Sequence, residues 1–397
     1  MLRSSVTRRG FLRKTAALGA ATFAVPAFVQ ARSPNGKLDV AVIGPGGRGE
    51  AQLGAAGNLE NVVAICDVDE RILGAAAKKY PKAKTYVDFR QMLPAMEKSI
   101  DAVMVSTPDH THAPAAAMAL RMGKHCYCEK PLAHSVYEAR VLAQLAKEKN
   151  LVTQMGTQIH AEDNYRRVVE LIQAGAIGPV SEVRVWCKVK YGGVKRPAET
   201  PPVPKELHWD LWIGPAPYRP YHPCYLPGAW RNWWDFGMGG IGDFGCHYMD
   251  LPFWALKLRH PTTVEAEGPP VDAEGAPQNL TVTYEYPARG DLPPVKLTWC
   301  DGDKASQPGI PSEIPVNDAG VLFIGKDGML RADYGSRALY PVDKFKGFKP
   351  PQPIPVASRK PSTTRLTFFI GAVLTVRCPG RQEPGFSGAH DRTFTNR

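Results

Sequence analysis

A glycine-rich turn that directly follows an apolar stretch constrains the fold of this chain most strongly. Residues 37–43 (Lys-Leu-Asp-Val-Ala-Val-Ile) predict a short buried strand, and Gly-Pro-Gly-Gly-Arg-Gly follows at residues 44–49. The turn matches G-x-G-x-x-G, and residues 50–57 predict a helix. In such a unit, glycines let a pyrophosphate approach backbone N–H groups at the positive end of the helix dipole. The predicted cofactor-binding residues here are Gly44, Gly46, Gly47, Arg48 and Gly49.

A second strand and an acidic residue support a dinucleotide site. Residues 62–66 are apolar and are followed by Asp67, 18 residues after Gly49. At this place a carboxylate can accept hydrogen bonds from an adenosine ribose, whereas it repels a 2′-phosphate. The sequence therefore predicts NAD as the cofactor, with NADP less favoured. A simple glycine turn with a surface aspartate is the alternative.

Strands and helices continue to alternate through the first half of the chain. Residues 102–106 and 125–128 predict buried strands, and residues 113–122 and 136–149 predict helices. This alternation is typical of an α/β, doubly wound parallel sheet, whose strand ends line the cofactor crevice. Five more residues are predicted beside the dinucleotide on this ground: Thr107, Pro108, His112, Glu129 and Lys130. Each of them could instead be an ordinary loop residue.

Longer motifs resemble the Gfo/Idh/MocA family, named for glucose-fructose oxidoreductase and inositol dehydrogenase. They are the glycine turn, Ser106-Thr107-Pro108 with His112, Cys128-Glu129-Lys130-Pro131-Leu132, Met155-Gly156-Thr157-Gln158, and the stretch from Gly239 to His247. The resemblance implies an N-terminal Rossmann domain at 37–155 and a C-terminal α/β domain with an open, mostly antiparallel sheet at 156–355. It also implies NAD(P)-dependent oxidation and reduction of CH–OH groups in sugars or polyols.

The resemblance further implies catalytic roles for Lys130, Asp243 and His247. Lys130 would lie between nicotinamide and substrate, where an ammonium stabilises the charge that develops on an alcohol oxygen during oxidation. Relatives tend to have the following Lys-Pro bond in cis, and we expect the same here. His247 would take the hydroxyl proton, and Asp243, one helical turn earlier, would orient its ring or contact the substrate. The alternative is that Asp243 caps the helix and that His247 is a buried core residue.

The second half of the chain is expected to contact the substrate. Its predicted substrate-binding residues are His160, Tyr165, Trp230, Arg231 and Trp233. The first two fall where relatives place substrate-contacting groups. The other three belong to residues 208–236, which hold five of the eight tryptophans. Aromatic faces suit the C–H faces of sugar rings, but the same residues could simply pack an irregular, proline-rich segment.

The net charge of +11 is confined to the two ends of the chain. Residues 1–31 carry five basic side chains and no acidic one, and residues 344–397 carry ten basic against two acidic ones. The residues between have a net charge of −2, which argues against a nucleic-acid partner. Residues 1–31, with Arg8 and Arg9 before an apolar stretch, resemble a twin-arginine signal peptide. We therefore expect an exported, periplasmic protein.

The C-terminal residues 356–397 lose the family pattern, and we expect a shifted reading frame near 356–365. Their 11-residue apolar run at 366–376 is too short for a membrane span, so none is predicted. The eight cysteines lack C-x-x-C spacing, so they do not indicate a metal site. The Asp243 motif does not indicate one either. Disulfides and a homo-oligomer formed through the C-terminal sheet are left open.

The leading hypothesis is an exported NAD-dependent oxidoreductase that transfers a hydride between nicotinamide and a sugar, polyol or related hydroxyl compound. Two alternatives remain. One is an NAD-dependent glycosidase that oxidises its substrate transiently and eliminates the glycosidic bond. The other is a non-catalytic protein that binds NAD or a sugar.

Overall fold

Two sheets organise residues 36–353, which the computed structural model describes except for Val271 and Gln307. The predicted export signal at 1–31 and the atypical segment at 356–397 lie outside the described residues. No helix in the described part of the chain is long and apolar enough to cross a bilayer.

The first sheet is parallel throughout and has the strand order β3-β2-β1-β4-β5-β6. Its strands are β1 (Asp39–Ile43), β2 (Asn61–Cys66), β3 (Lys84–Tyr86), β4 (Ala102–Val105), β5 (His125–Cys128) and β6 (Thr153–Met155). The helices between them are α1 (Arg48–Leu59), α2 (Glu70–Lys79), α3 (Phe89–Ala95), α4 (Asp109–Arg121) and α5 (Val136–Glu148). This strand order is that of the Rossmann fold, so the predicted doubly wound sheet is confirmed.

Both faces of this sheet are buried because successive side chains of a strand point to opposite sides. Val40 and Val42 of β1 pack against α1 and α2, whereas Ala41 and Ile43 pack against α3, α4 and α5. The hydrophobic run at residues 38–43 is therefore apolar on both faces, which explains why it lacks the alternation of a half-exposed strand.

The second sheet has seven strands in the order β13-β12-β11-β7-β10-β9-β8. Its strands are β7 (Val180–Cys187), β8 (Thr263–Glu267), β9 (Thr281–Tyr286), β10 (Val295–Asp301), β11 (Ala319–Gly325), β12 (Met329–Ala332) and β13 (Arg337–Tyr340). Neighbouring strands are antiparallel except for the pair β7 and β10. The predicted open, mostly antiparallel sheet is therefore confirmed.

Two helices cover one face of the second sheet. The helices of this domain are α6 (Asp163–Gln173), α7 (Trp209–Ile213), α8 (Gly239–Tyr248) and α9 (Asp250–Leu256). Helices α6 and α9 pack on the inner face of β7, β10 and β11 to form the larger core. The sequence predicts one helix over 242–256, but the structure divides this stretch at Met249.

Residues between β10 and β11 cover part of the outer face of the second sheet. Ile314 and Ala305 pack there against Trp186 and Leu322. The indole N–H of Trp186 donates to the carbonyl oxygen of Asn317 at 2.9 Å. A homo-oligomer through this sheet stays a prediction.

Candidate active site

The glycine turn brings three backbone segments closer together than side chains would allow. Gly44 has φ +77°, and a Cβ atom there would lie 2.8 Å from the carbonyl oxygen of Ser106. A Cβ atom on Gly49 would lie 1.8 Å from the carbonyl oxygen of Gly44. The start of α1 is thereby fixed beside the ends of β1 and β4, which is the strand–turn–helix unit that the spacing predicts.

A cavity of about 1040 Å³ extends along the carboxyl ends of the parallel strands, at the upper end of the roughly 300–1,000 Å³ typical of ligand sites. Twelve predicted site residues line it: Gly44, Gly46, Gly47, Arg48, Asp67, Thr107, Pro108, His112, Glu129, Lys130, Trp230 and Arg231. The structure therefore gathers around one cavity most of the side chains that the sequence analysis singled out.

The adenosine end of this cavity offers polar groups that suit a dinucleotide. Asp67 lies at the end of β2, and its Oδ1 accepts a hydrogen bond from the Asp69 N–H at 2.9 Å. Burial raises the pKa of Asp67 to about 7, so hydrogen bonds from ribose hydroxyls would favour its ionised form. The hydroxyl of Ser106, beside the glycine turn, is buried without a protein partner. These residues fit NAD.

His112 connects the loops that follow β4 and β5. Its Nδ1 lies 2.6 Å from the carbonyl oxygen of Pro131, and its Nε2 lies 2.7 Å from that of Thr107. Burial lowers the pKa of this imidazole. Because both ring nitrogens face backbone carbonyls, His112 acts on the crevice by holding these two loops together.

Glu129 joins the glycine-turn helix to β5. Its Oε1 accepts hydrogen bonds from Gln52 Nε2 at 2.6 Å and from the Tyr127 hydroxyl at 2.9 Å, with Arg48 Nε 3.4 Å away. A Cβ atom on Gly156 would lie 2.5 Å from the Tyr127 hydroxyl oxygen. Gln52 is a site residue that the glycine motif does not reveal, because it lies on the helix beyond the turn.

Two cations share one buried carboxylate where the two domains meet. Lys130 Nζ lies 2.5 Å from Asp243 Oδ1 and 3.0 Å from the Asp243 carbonyl oxygen. Arg231 Nε is 3.0 Å from the same Oδ1. Burial opposes ionisation of Asp243, but the two cations outweigh it and hold its pKa below the usual range. The Lys130–Pro131 bond is cis, so that expectation is confirmed.

His247 lies one turn after Asp243 on α8 and is buried. Its Nδ1 has no protein partner, and its carbonyl oxygen accepts a hydrogen bond from the Tyr165 hydroxyl at 3.0 Å. Burial and, secondarily, the nearby Lys130 lower its pKa to about 4. The imidazole is therefore neutral at pH 7 and carries a free lone pair that can accept a proton.

Asp109 is a residue of this site that the sequence analysis missed. It begins α4 directly after Pro108, lines the cavity and is only 2% exposed. Its Oδ2 has no partner, and burial together with the negative charge of Asp243 raises its pKa to about 8. The signal was present, because Asp109 is the first acidic residue after a buried parallel strand.

Two of the five predicted substrate residues, Trp230 and Arg231, line the cavity. Trp230 and Arg231 belong to the short turn Ala229–Asn232, and the Arg231 guanidinium carbon lies 4.1 Å from the centre of a Trp230 ring. The centre of the Tyr191 ring, which no motif indicated, is 5.9 Å from the same carbon. His160 pairs with Asp250 at 2.8 Å and is absent from the cavity wall described above.

Tyr165 and Trp233 differ from the prediction because both rings are buried, at 0% and 1% exposed. Tyr165 packs in the core under α8 and supports His247 through the hydrogen bond to its carbonyl oxygen. Trp233 belongs to an aromatic cluster with Trp209, Trp212 and Phe236. Neither ring presents an atom to the cavity, so packing is the role that the structure supports for both.

No group of three or more potential metal ligands is found within the described ranges. The seven cysteines that belong to the described part of the chain are free thiols, five of them buried. Cys126 and Cys128 face the same side of β5, as their spacing predicts.

Together, the glycine turn, the sheet order and the Lys130–Asp243–His247 group define a two-domain, dinucleotide-binding oxidoreductase. The description "Oxidoreductase family, NAD-binding Rossmann fold" matches residues 38–157. The companion description "Oxidoreductase family, C-terminal alpha/beta domain" matches residues 166–292. The chain therefore belongs to the Gfo/Idh/MocA oxidoreductase family.

Curated relatives match parts of the chain. An uncharacterized oxidoreductase of Schizosaccharomyces pombe is 25% identical over 222 residues, which are 55% of this chain and 50% of that protein. Inositol 2-dehydrogenase of Rubrobacter xylanophilus is 31% identical over 163 residues, which are 39% of this chain and 45% of that protein. The chain thus spans about half the length of these relatives.

Solved structures share the fold. The WlbA dehydrogenase of Bordetella pertussis, solved in complex with NADH and UDP-GlcNAcA, aligns with a TM-score of 0.56 at 18% identity. The alignment covers 76% of this chain and 82% of that one.

Proposed function

We propose that this protein is an NAD-dependent dehydrogenase that oxidises a CH–OH group of a sugar, a polyol or a related hydroxyl compound. The observation that carries the proposal is the meeting of Lys130 from the first domain with Asp243, one turn from His247, in the second. Two similar proteins support this substrate class. One is named an inositol 2-dehydrogenase, and the other is the WlbA dehydrogenase, solved with UDP-GlcNAcA.

The chain supplies the acid–base and electrostatic parts of the reaction. NAD, when bound, supplies the nicotinamide ring that accepts the hydride. The neutral imidazole of His247 accepts the hydroxyl proton of the substrate. The Lys130 ammonium stabilises the negative charge that then develops on the alcohol oxygen. Asp243 holds that ammonium in place, because its Oδ1 lies 2.5 Å from Lys130 Nζ.

The second domain supplies groups that suit a polyhydroxylated ligand. Trp230 offers an apolar ring at the cavity wall, and the adjacent Arg231 guanidinium, 25% exposed, offers N–H donors for hydroxyl oxygens. Export through the twin-arginine route is part of the proposal, and it rests on Arg8, Arg9 and the apolar stretch that follows them.

The test is oxidation of a panel of sugars and polyols by the purified chain with NAD⁺, followed by the absorbance of the reduced nicotinamide. We expect Lys130→Ala to lower kcat at least about 100-fold, because it removes a preorganised charge from the reacting oxygen. The fold should survive, because Arg231 still neutralises Asp243. The matched control is Lys147→Ala, an exposed lysine in the last turn of α5.

Two results would contradict the proposal. One is wild-type turnover by the Lys130→Ala variant. The other is release of an aglycone with no net change in the redox state of NAD, which would indicate a glycosidase.

A further inference from the structure

The cofactor cavity has a second wall that comes from the C-terminal domain. Residues 206–215, here called the strap, include helix α7 and lie far along the chain from the glycine turn. Six of them line the same cavity as the glycine turn and Asp67: Leu207, Asp210, Leu211, Trp212, Gly214 and Pro215. A dinucleotide in this cavity is therefore in contact with both domains.

One end of the strap pairs with the turn between β2 and α2. The Glu70 N–H donates to the carbonyl oxygen of Glu206, and the His208 N–H donates to that of Val68, both at 2.9 Å. Asp69 and Leu207 lie opposite each other between these bonds as an antiparallel bridge. This turn directly follows Asp67, so the pairing joins the two domains beside the adenosine end of the cavity.

The other end of the strap is attached at the start of α4. The carbonyl oxygen of Trp212 lies 3.1 Å from His110 Nε2 in a buried contact. A Cβ atom on Gly214, which has φ +55°, would lie 2.9 Å from the Thr111 side chain. Because α4 begins at Asp109, this second attachment lies at the nicotinamide end. The strap therefore runs along the cavity and is fixed at both of its ends.

Packing keeps the middle of the strap in position. Trp209 and Trp212 stack with their ring centres 4.9 Å apart, and both rings are buried in the aromatic cluster. Lifting the α4 end would expose these rings. At the end near residues 68–70, Leu207 is buried in the same cluster with Val68 packed against it, and two backbone hydrogen bonds add to this packing. That pairing is also supported by an exposed ion pair, in which His208 Nε2 lies 2.8 Å from Glu70 Oε1.

We propose that the strap completes the NAD site and that its backbone pairing with residues 68–70 controls how fast NAD leaves. The bound dinucleotide can leave only after this pairing opens. NADH release is therefore slower than it would be from a cleft that the strap left uncovered. The inference rests on the proposed function only in taking NAD as the occupant of the cavity.

Proline substitution tests the pairing one hydrogen bond at a time. Glu70→Pro removes the N–H that bonds Glu206, yet it places proline at the first position of α2, where proline is favoured. Asp69 before it is extended, as a residue preceding proline should be. His208→Pro removes the second N–H at a residue with φ −81°, close to the value that proline imposes.

The measurement is the rate of NADH release from the full chain, followed by nicotinamide fluorescence after dilution into excess NAD⁺. We expect each proline variant to release NADH at least about tenfold faster than wild type, which corresponds to about 1.4 kcal/mol. Glu70→Gln removes only the exposed ion pair and should stay within about threefold. Val136→Pro, at the first position of α5 and away from the strap, controls for proline itself.

The outcomes separate the two proposals. Release from wild type within the mixing time, or equal rates in wild type and a folded proline variant, would overturn the strap proposal even if polyols are oxidised. Slow release that the proline variants accelerate, without oxidation of any polyol, would support the strap and overturn the dehydrogenase. If both proline variants fail to fold, the rate of NADH release from wild type alone tests the strap proposal: slow release supports it, and release within the mixing time overturns it.

Discussion

The two walls of the cofactor cavity are built in different ways. In the first domain, the wall residues follow parallel strands, so the hydrogen-bonded ladder of the sheet sets their positions. In the second domain, residues 206–231 contain only short helical turns, and buried aromatic rings hold them together. The comparison shows that hydrogen-bonded strands position the residues of the first wall, whereas packed side chains position most residues of the second. Substitutions should therefore act through different forces on the two sides.

The largest effect is expected in the aromatic cluster that supports the second wall. Trp233→Ala removes a fully buried indole from the aromatic cluster and should lower the free energy of unfolding by about 3–5 kcal/mol. Chemical denaturation measures this loss. Tyr218→Ala, in the same segment but 73% exposed, should change it by less than about 0.5 kcal/mol. Equal effects at the two positions would mean that the cluster does not support this wall.

The first wall should be most sensitive to substitution at a close backbone contact in the glycine turn. Gly49→Ala places a Cβ atom 1.8 Å from the Gly44 carbonyl oxygen, so the turn must move. We expect a loss of about 1–3 kcal/mol in stability and weaker NAD binding, measured by denaturation and calorimetric titration. Gly54→Ala lies in the same helix with open space around its Cβ and should stabilise by about 0.5–1 kcal/mol. Unchanged NAD affinity in Gly49→Ala would argue against the turn as the pyrophosphate site.

The pH dependence of stability at Asp109 tests whether burial and the nearby charge of Asp243 raise the pKa of its carboxyl group. Its pKa is raised to about 8, so between about pH 4 and 8 the unfolded chain has lost a proton that the folded chain keeps. Wild-type stability should fall over this range, and Asp109→Asn should gain relative stability as the pH rises. We expect a gain of at least about 1.4 kcal/mol from pH 5 to 8 in urea titrations. Asp163→Asn, at the exposed first position of α6, is the control. A pH-independent difference would contradict the shift.

The smallest effect concerns His247. Its pKa is lowered to about 4, so the neutral base that the reaction needs is already present above that pH. Under the proposed function, kcat/KM should change less than about twofold between pH 5.5 and 7.5 on account of this residue. An imidazole with an ordinary pKa near 6.5 would give about a tenfold rise over the same range. A rise of that size, absent in His247→Gln, would show that burial does not neutralise the ring.

The sequence predicted the first wall better than the second, for a physical reason. Parallel strands and the residues that follow them leave a local pattern, and this pattern located the glycine turn, Asp67 and Lys130. The same rule also indicates Asp109, which directly follows Thr107-Pro108 after β4. Two features of the second wall depend on contacts far along the chain, namely the burial of Trp233 and the pairing of the strap with residues 68–70. No local spacing of residues in the sequence predicts such contacts.

The second sheet shows a similar limit. Five of its seven strands, β7 and β9 to β12, are predicted from alternating or apolar segments, but β8 and β13 are not. Every residue of β8 is exposed, and β13 has only one buried residue, so these edge strands contribute few of the buried apolar residues that mark a strand in the sequence. The division of residues 242–256 into α8 and α9 was also missed, although Pro252 marks it, because proline has no N–H to donate to the carbonyl oxygen of Tyr248.

The contact between Lys130 and Asp243 also has a mechanical consequence. One partner belongs to the nucleotide-binding domain and the other to the substrate domain, and both are nearly inaccessible to water. Pulling the domains apart would separate the reactive groups and leave the Lys130 ammonium without its counter-ion, while Asp243 would keep its contact with Arg231. An arrangement with the domains apart therefore lacks the grouping of Lys130 with Asp243 and His247 on which the proposed chemistry depends.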